Sequence, residues 1–192
     1  MDYGHLFRRG FHLCAPAFLV YYLLPDKIFW IPKEVLVLIV LFAVLLLEAV
    51  RLFTGRIFFG LREYERGQIS AYAWAAIGLT AALFFFPMPL VICSVVGLAW
   101  TDPLIGEMRK KRKMRYYPAL PFIMYFLIVA TSLILFSDIH LISVLIIGIV
   151  GSIVAISAEK PKTPVDDDFL MLIVPLVVMT LVYWYLSIAG LI

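Results

Sequence analysis

Charged side chains are scarce in this chain: Asp, Glu, Lys and Arg together make up 15% of its 192 residues. Hydrophobic residues make up 64%, and the mean hydropathy is +1.03. A soluble domain is closer to half apolar, and so few charges could not cover this much apolar surface in water. The composition therefore excludes a soluble globular protein and predicts one that is solvated by lipid.

Several nucleotide-binding and catalytic motifs are also missing. The chain has no G-x-x-x-x-G-K-[ST], no G-x-G-x-x-G, no serine nucleophile elbow and no Cys/His metal spacing, which excludes P-loop and Rossmann chemistry. The two cysteines, Cys14 and Cys93, lie in apolar runs and are predicted to be small core residues. No small-residue cleavage site follows the polar N-terminus, so we expect a retained first helix.

The chain contains many long apolar runs. A membrane-crossing helix needs about 20 mostly apolar residues, and seven candidate spans meet or approach this length, of which the first and fourth are short. The gaps at Pro87–Pro89 and at Ser137 and Asp138 leave no room for another domain. We therefore predict one all-α transmembrane domain over residues 1–192, with spans at roughly 9–25, 33–50, 69–87, 88–105, 118–136, 139–157 and 169–190.

The charges fall mainly on one side of these spans. Fourteen Lys and Arg residues lie on the side of the N-terminus, and only Lys27 and Lys33 lie on the other. This bias predicts a cytoplasmic N-terminus. Ten of the thirteen acidic residues share the basic side, which the orientation rule does not require. The cytoplasmic side is thus predicted to carry a mixed polar layer with a function of its own.

Asp102 stands near the inner end of the fourth span. An Asp at a helix centre costs about 2.5–3.5 kcal/mol on insertion scales, so it needs a cavity, a cation or a partner. Pro103 biases the residue before it away from helix. Asp102 is either a helix-breaking residue paired with a loop Arg or part of a metal or phosphate site. The basic run that follows it, from Arg109 to Arg115, either binds anionic lipid headgroups or contacts nucleotide phosphates.

Further polar residues border the last two spans and the first two. Glu159 ends the sixth span and Asp166, Asp167 and Asp168 open the seventh. Helix capping explains one or two of these carboxylates, whereas three in a row favour a hard divalent cation such as Mg²⁺. In the first span, His12 shares a helix face with the two preceding arginines. Glu48 and Arg51 form either an ion pair that holds the bundle together or a phosphate contact.

Five motifs occur in one order along the chain: RRGFH at 8–12, the Glu48 and Arg51 pair, LREYERGQIS at 61–70, TDPLIG at 101–106, and Glu159 followed by DDDFLMLIVP at 166–175. This order resembles the integral-membrane phytol kinase and dolichol kinase family, the CTP-dependent lipid-alcohol kinases. The resemblance covers nearly the whole chain. Thr101 stands where the family usually has glycine.

The resemblance implies phosphoryl transfer from CTP, or another nucleoside triphosphate, to a membrane isoprenoid alcohol, with Mg²⁺ as cofactor and the active site on the cytoplasmic side. It implies catalytic roles for Asp102, Glu159, Asp167 and His12, with Glu159 or His12 orienting the alcohol. The metal ligands expected are Asp102, Asp166, Asp167 and Asp168, and the phosphate-contacting residues expected are Arg8, Arg9, Arg109, Lys110 and Lys160. Asp102 should therefore approach the 166–168 aspartates closely enough to share a cation.

Two other functions remain open at this point. A cytidylyltransferase that makes a CDP-lipid needs the same metal and CTP residues. A transporter or lipid-binding scaffold is disfavoured, because a transporter needs polar residues near the bilayer midplane and these spans are nearly free of them. The acceptor alcohol could be phytol, geranylgeraniol, a polyprenol or dolichol, or diacylglycerol.

Overall fold

A computed structural model describes residues 10, 12–56, 61, 66–111, 114–159 and 165–192. Among them, helices predominate and confirm the all-α prediction. A two-residue hairpin, β1 (Lys27–Ile28) and β2 (Ile31–Pro32), joins the first two helices, and a short 3₁₀ turn, Met114–Tyr116, precedes the fifth. The seven helices of the described ranges are α1 (His12–Leu23), α2 (Lys33–Thr54), α3 (Ala71–Phe85), α4 (Met88–Lys110), α5 (Ala119–Phe136), α6 (Leu141–Ala158) and α7 (Asp167–Ile188).

Five of these helices are long and apolar enough to cross a membrane: α2, α4, α5, α6 and α7. They contain 18 to 23 residues, or about 27–35 Å at 1.5 Å per residue, which matches a hydrocarbon core of about 30 Å. The chain is therefore a membrane protein. The helices α1 and α3 are apolar but shorter.

The prediction that the fourth span is short was wrong. Helix α4 has 23 residues, whereas α3 has 15. The fourth span was predicted to end at about residue 105, but the helix continues through Pro103 to Lys110. Proline removes the hydrogen bond to the carbonyl of Ala99, yet packing on several sides of α4 holds the helix together.

Helix α1 has few residues, but most of it has a larger rise per residue than an α-helix. From Ala15 to Leu23 it is a 3₁₀ helix, which rises about 2.0 Å per residue rather than 1.5 Å. Nine 3₁₀ residues therefore extend about 18 Å. Cys14, at the start of this segment, is exposed, so its predicted place in the core was wrong. Cys93 is buried as predicted.

The bundle is built around α4. The most apolar stretch of α4 is 61% buried, whereas that of α2 is only 11% buried. Helix α4 packs against α5 and α7, and α6 lies between those two. Small residues let the helices approach closely: Gly97 faces Tyr125, and Gly151 faces Met179. On the outside of this core, α1 packs against α4, α3 packs against α7, and α2 packs against α3.

A buried ion pair fixes the start of α3. Arg51 donates from Nε and Nη2 to the two Glu48 carboxylate oxygens, at 2.8 and 2.7 Å, and from Nη2 to the Gln68 carbonyl at 2.6 Å. Glu48 also accepts bonds from the Ser70 backbone N–H and hydroxyl, at 2.6 and 3.0 Å. The Ser70 hydroxyl in turn caps α3 through the Ala73 N–H. These contacts favour the interpretation of Glu48 and Arg51 as an ion pair that holds the bundle together, rather than as a phosphate contact.

Candidate functional site

Three titratable side chains from three helices meet at one end of the bundle. The His12 Nε2 atom, at the start of α1, lies 3.2 Å from Asp168 Oδ2 and 4.0 Å from Asp102 Oδ2. One ligand atom from each of the three residues lies within 4.8 Å of the others. The side chains are 13%, 25% and 9% exposed for His12, Asp102 and Asp168 respectively. The predicted approach of Asp102 to the 166–168 aspartates is confirmed for Asp168.

The start of α7 explains how Asp168 is held. Asp166 is the N-cap residue, and its Oδ1 accepts a bond from the Asp168 backbone N–H at 3.1 Å. Carboxylates in the first turn are also favoured by the unpaired N–H groups and the helix dipole. Asp166 thus has the capping role that the sequence allowed for one of these residues, while Asp168 points into the bundle and is 7% exposed.

Asp102 is held inside a helix rather than at its end. The sequence offered a helix-breaking role for Asp102 because of Pro103, but both residues lie within α4. The helix therefore carries the Asp102 carboxylate to the same place as the first residues of α1 and α7.

The donor set of this cluster suits a hard divalent cation. Mg²⁺ is usually bound by one or two carboxylates together with substrate phosphates, and Asp102 and Asp168 supply two carboxylates. Imidazole is a more common ligand of softer metals than of Mg²⁺, so His12 fits better as a group that handles a proton. A second group with ligand atoms within 4.8 Å of one another consists of Asp166, Asp167 and Asp168, and it shares Asp168 with the first.

A second polar cluster lies near the C-terminal ends of α4 and α6. Glu159, whose side chain is 2% exposed, forms an ion pair with Arg109 and accepts a hydrogen bond from the Tyr117 hydroxyl at 3.2 Å. The Arg109 side chain is 53% exposed. Arg109 follows Asp102 by seven residues, which places it on the same face of α4 and about 10 Å further along the axis.

The remaining predicted residues are distributed as follows. Asp167 is half-buried in the first turn of α7, and Lys110 is exposed in the last turn of α4. Among the described residues, Glu159 belongs to neither group of clustered metal-ligand atoms, and its contacts are those with Arg109 and Tyr117. The predicted residues Arg8, Arg9 and Lys160 lie outside the described residues.

Sequence reasoning missed an apolar cavity beside His12 and Asp168. The cavity has a volume of about 40 Å³. Its walls come from α1, α3, α4 and α7, and include Ala15, Ala71, Tyr72, Ala75, Leu79, Val95, Leu98 and Leu172. The one signal in the sequence was the alanine-rich start of α3, AYAWAA at 71–76, because small side chains leave space where helices meet.

A larger apolar groove of about 680 Å³ lies between α1, α2 and α3. This volume is within the range of about 300–1,000 Å³ that is typical of small-molecule sites. Tyr72, Ala75 and Leu79 line both the groove and the small cavity. The cavity beside His12 and Asp168 and the apolar groove therefore border the same three residues of α3.

No family model matches the chain, and neither the curated proteins nor the solved structures contain a match to it.

Proposed function

We propose that this protein is a membrane lipid-alcohol kinase that transfers the γ-phosphoryl group of CTP, or another nucleoside triphosphate, to an isoprenoid alcohol. One observation carries the proposal: two carboxylates and a histidine cluster beside an apolar cavity that shares its walls with a large apolar groove. Such a place can receive a phosphate-bound cation from one side and the head of a lipid from the other.

Phosphoryl transfer makes little covalent demand on a protein, so positioning and charge neutralisation supply most of the catalysis. Asp102 and Asp168 would hold Mg²⁺, which would supply positive charge to neutralise the nucleotide phosphates. Arg109 and Lys110, in the last turn of α4, contact the phosphates. Glu159 is buried against Arg109, so we assign it to holding that guanidinium in place and leave the orientation of the alcohol to His12.

The proposed reaction forms one bond to the γ-phosphorus, breaks another, and transfers one proton. The alcohol oxygen forms a bond to the γ-phosphorus, and the bond from that phosphorus to the β,γ-bridging oxygen breaks. The nucleoside diphosphate leaves with the electron pair. The hydroxyl proton passes to His12, whose Nε2 atom lies 3.2 Å from Asp168 Oδ2, and from there to water.

The proposed orientation puts this end of the bundle in the cytoplasm. The positive-inside bias of fourteen basic residues against two supports it, and nucleoside triphosphates are cytoplasmic. An isoprenoid alcohol keeps its hydroxyl at the interface and its tail in lipid. Extracting that tail into water would cost about 0.8 kcal/mol per CH₂, which a membrane-embedded enzyme avoids.

The direct test gives purified protein γ-labelled and α-labelled CTP or ATP with Mg²⁺ and a panel of alcohols in lipid nanodiscs. A kinase transfers the γ-label to the lipid and releases a nucleoside diphosphate. A parallel reaction has phosphatidic acid in the nanodiscs in place of the alcohols. Transfer of the α-label to the phosphate of that lipid, with release of pyrophosphate, would instead establish a cytidylyltransferase. Absence of labelled lipid with every long-chain alcohol, diacylglycerol included, would rule out the kinase.

A further inference from the structure

The apolar groove exists because α1 and α2 pack on different partners. Helix α1 packs against α4, and α2 packs against α3, so the space between α1 and α2 remains open above α3. The groove follows α3 from Tyr72 to Leu83, eleven positions or about 16 Å. The α3 side of the groove is lined mostly by small or apolar residues, among them Ala76 and Thr80.

The inner end of the groove adjoins the small cavity at the polar cluster. Tyr72, Ala75 and Leu79 recur at spacings of three and four along α3, which puts them on one face of the helix, and they line both spaces. The cavity beyond them measures about 40 Å³, whereas about 10–15 Å³ on this measure accommodates one water molecule. It has room for a terminal CH₂OH group but not for a glycerol that carries two esters.

We propose that this groove binds the hydrocarbon tail of the acceptor, and that the cavity at its inner end selects a primary alcohol with a single chain over a diacylglycerol. The inference rests on the proposed function, because it takes His12 and Asp168 as the residues that meet the hydroxyl. It adds the path of the tail and the physical basis for choosing the acceptor.

Non-specific contact with membrane lipid does not explain why this groove lies beside the polar residues His12 and Asp168. Between Glu34 and Thr54 the exposed residues of α2 are apolar and can meet acyl chains anywhere, but only the groove side shares lining residues with the cavity of His12 and Asp168. Of the described residues that line the groove, Lys33 is the one that carries a charge. It lies at the opposite end and is paired with Asp26 at 3.3 Å. The polar head of a single-chain alcohol therefore has its reactive partners at the inner end.

The test uses the full chain in nanodiscs without nucleotide, so that it reads binding independently of catalysis. The probe is geranylgeraniol with a diazirine near the end of its tail, and the crosslinked peptides are mapped by mass spectrometry. We expect labels on α2 and α3 at groove residues, displaced by an excess of unlabelled geranylgeraniol but not by dioleoylglycerol.

Two neighbouring positions of α2 give a matched pair of variants. Val40 lines the groove, and Ile39 does not; both side chains are exposed. Filling the groove with Val40→Trp should lower specific crosslinking by about tenfold, while Ile39→Trp should leave it unchanged. Both substitutions place a tryptophan at an exposed position of the same helix, so a general folding defect would affect both variants alike.

Three results would overturn the tail site: labels that map elsewhere, groove labels that unlabelled geranylgeraniol does not displace, or equal loss in the two variants. Displacement by dioleoylglycerol as effective as by geranylgeraniol would overturn the selection of a single chain. Specific groove labelling in a protein that phosphorylates no alcohol would keep the tail site and reject the kinase. Phosphorylation of a prenol with labels elsewhere would reject the tail site alone.

Discussion

Three consecutive aspartates at the start of α7 have three different environments. Asp166 caps the helix through the Asp168 N–H, Asp167 is half-buried, and Asp168 is buried beside His12 and Asp102. The same chemical group thus serves a helix end at one position and a ligand cluster two positions later. Their difference is testable one residue at a time.

Asp168→Asn should reduce the rate of phosphoryl transfer by about 10²-fold or more, the scale of losing one preorganised electrostatic group. It should also weaken the binding of Mn²⁺, used as a spectroscopic substitute for Mg²⁺. Asp167→Asn removes the same charge at the neighbouring position. It should lower the rate of phosphoryl transfer and the Mn²⁺ affinity by less than Asp168→Asn does. Equal losses in the two variants, measured as kcat and as Mn²⁺ affinity by electron paramagnetic resonance, would contradict the assignment of Asp168.

In the proposed mechanism, Glu159 acts on the reaction through Arg109. Glu159→Gln should raise the KM for the nucleotide about tenfold, because it removes the charge-assisted hydrogen bond that orients the guanidinium, while kcat changes less. Tyr117→Phe removes only the neutral partner of the same carboxylate and should have a smaller effect. A Glu159→Gln enzyme with unchanged KM and strongly reduced kcat would indicate that Glu159 itself contacts the alcohol.

At the scale of elements, the ion pair of Glu48 and Arg51 links the end of α2 to the start of α3. Arg51→Met leaves the Glu48 carboxylate buried without its cation, and we expect it to lower the free energy of unfolding by about 3–5 kcal/mol. The measurement is unfolding by SDS in mixed micelles. Arg56→Met, at an exposed position just after α2, is the control and should shift stability by less than about 0.5 kcal/mol. Similar shifts in both variants would mean that the pair does not fix this junction.

Helix contacts at glycine differ in how well they tolerate a methyl group. A Cβ at Gly97 would lie 2.5 Å from Cε2 of the buried, rigid Tyr125 ring, and a Cβ at Gly151 would lie 2.5 Å from Sδ of the flexible Met179. Gly97→Ala should therefore destabilise the α4–α5 contact by about 1–3 kcal/mol, and Gly151→Ala by less. The same SDS titration compares them, and a larger loss at Gly151 would contradict this view of the packing.

At the scale of the whole molecule, seven helices that all cross the membrane would place the two chain ends on opposite sides. We expect a fluorescent protein fused to the N-terminus to fluoresce in the cytoplasm and alkaline phosphatase fused after Ile192 to be active outside. The physical cause is the basic bias of the N-terminal side. Phosphatase activity absent from the C-terminal fusion but present in a fusion to the N-terminus would reverse the orientation. Both ends on one side would mean that one of the short helices α1 and α3 does not cross.

The sequence by itself determined that the chain lies in a membrane as a helical bundle with a mixed polar layer at one end. Composition is sufficient for this, because water cannot solvate so much apolar surface and lipid cannot solvate unpaired charges. The sequence also predicted that Asp102 and the 166–168 aspartates lie on the same side of the spans, since Asp102 follows the apolar run of the fourth span and the aspartates open the seventh.

Only the tertiary structure decided that Asp168 meets Asp102, that Glu159 pairs with Arg109, and that the small cavity beside His12 shares lining residues with a groove beside α3. These features depend on how each helix is rotated about its axis. A helix that is apolar all round carries no stripe to indicate its inward face, so the side chains packed between helices set that rotation. The same packing keeps Asp102 helical, against the bias away from helix that Pro103 imposes on the residue before it.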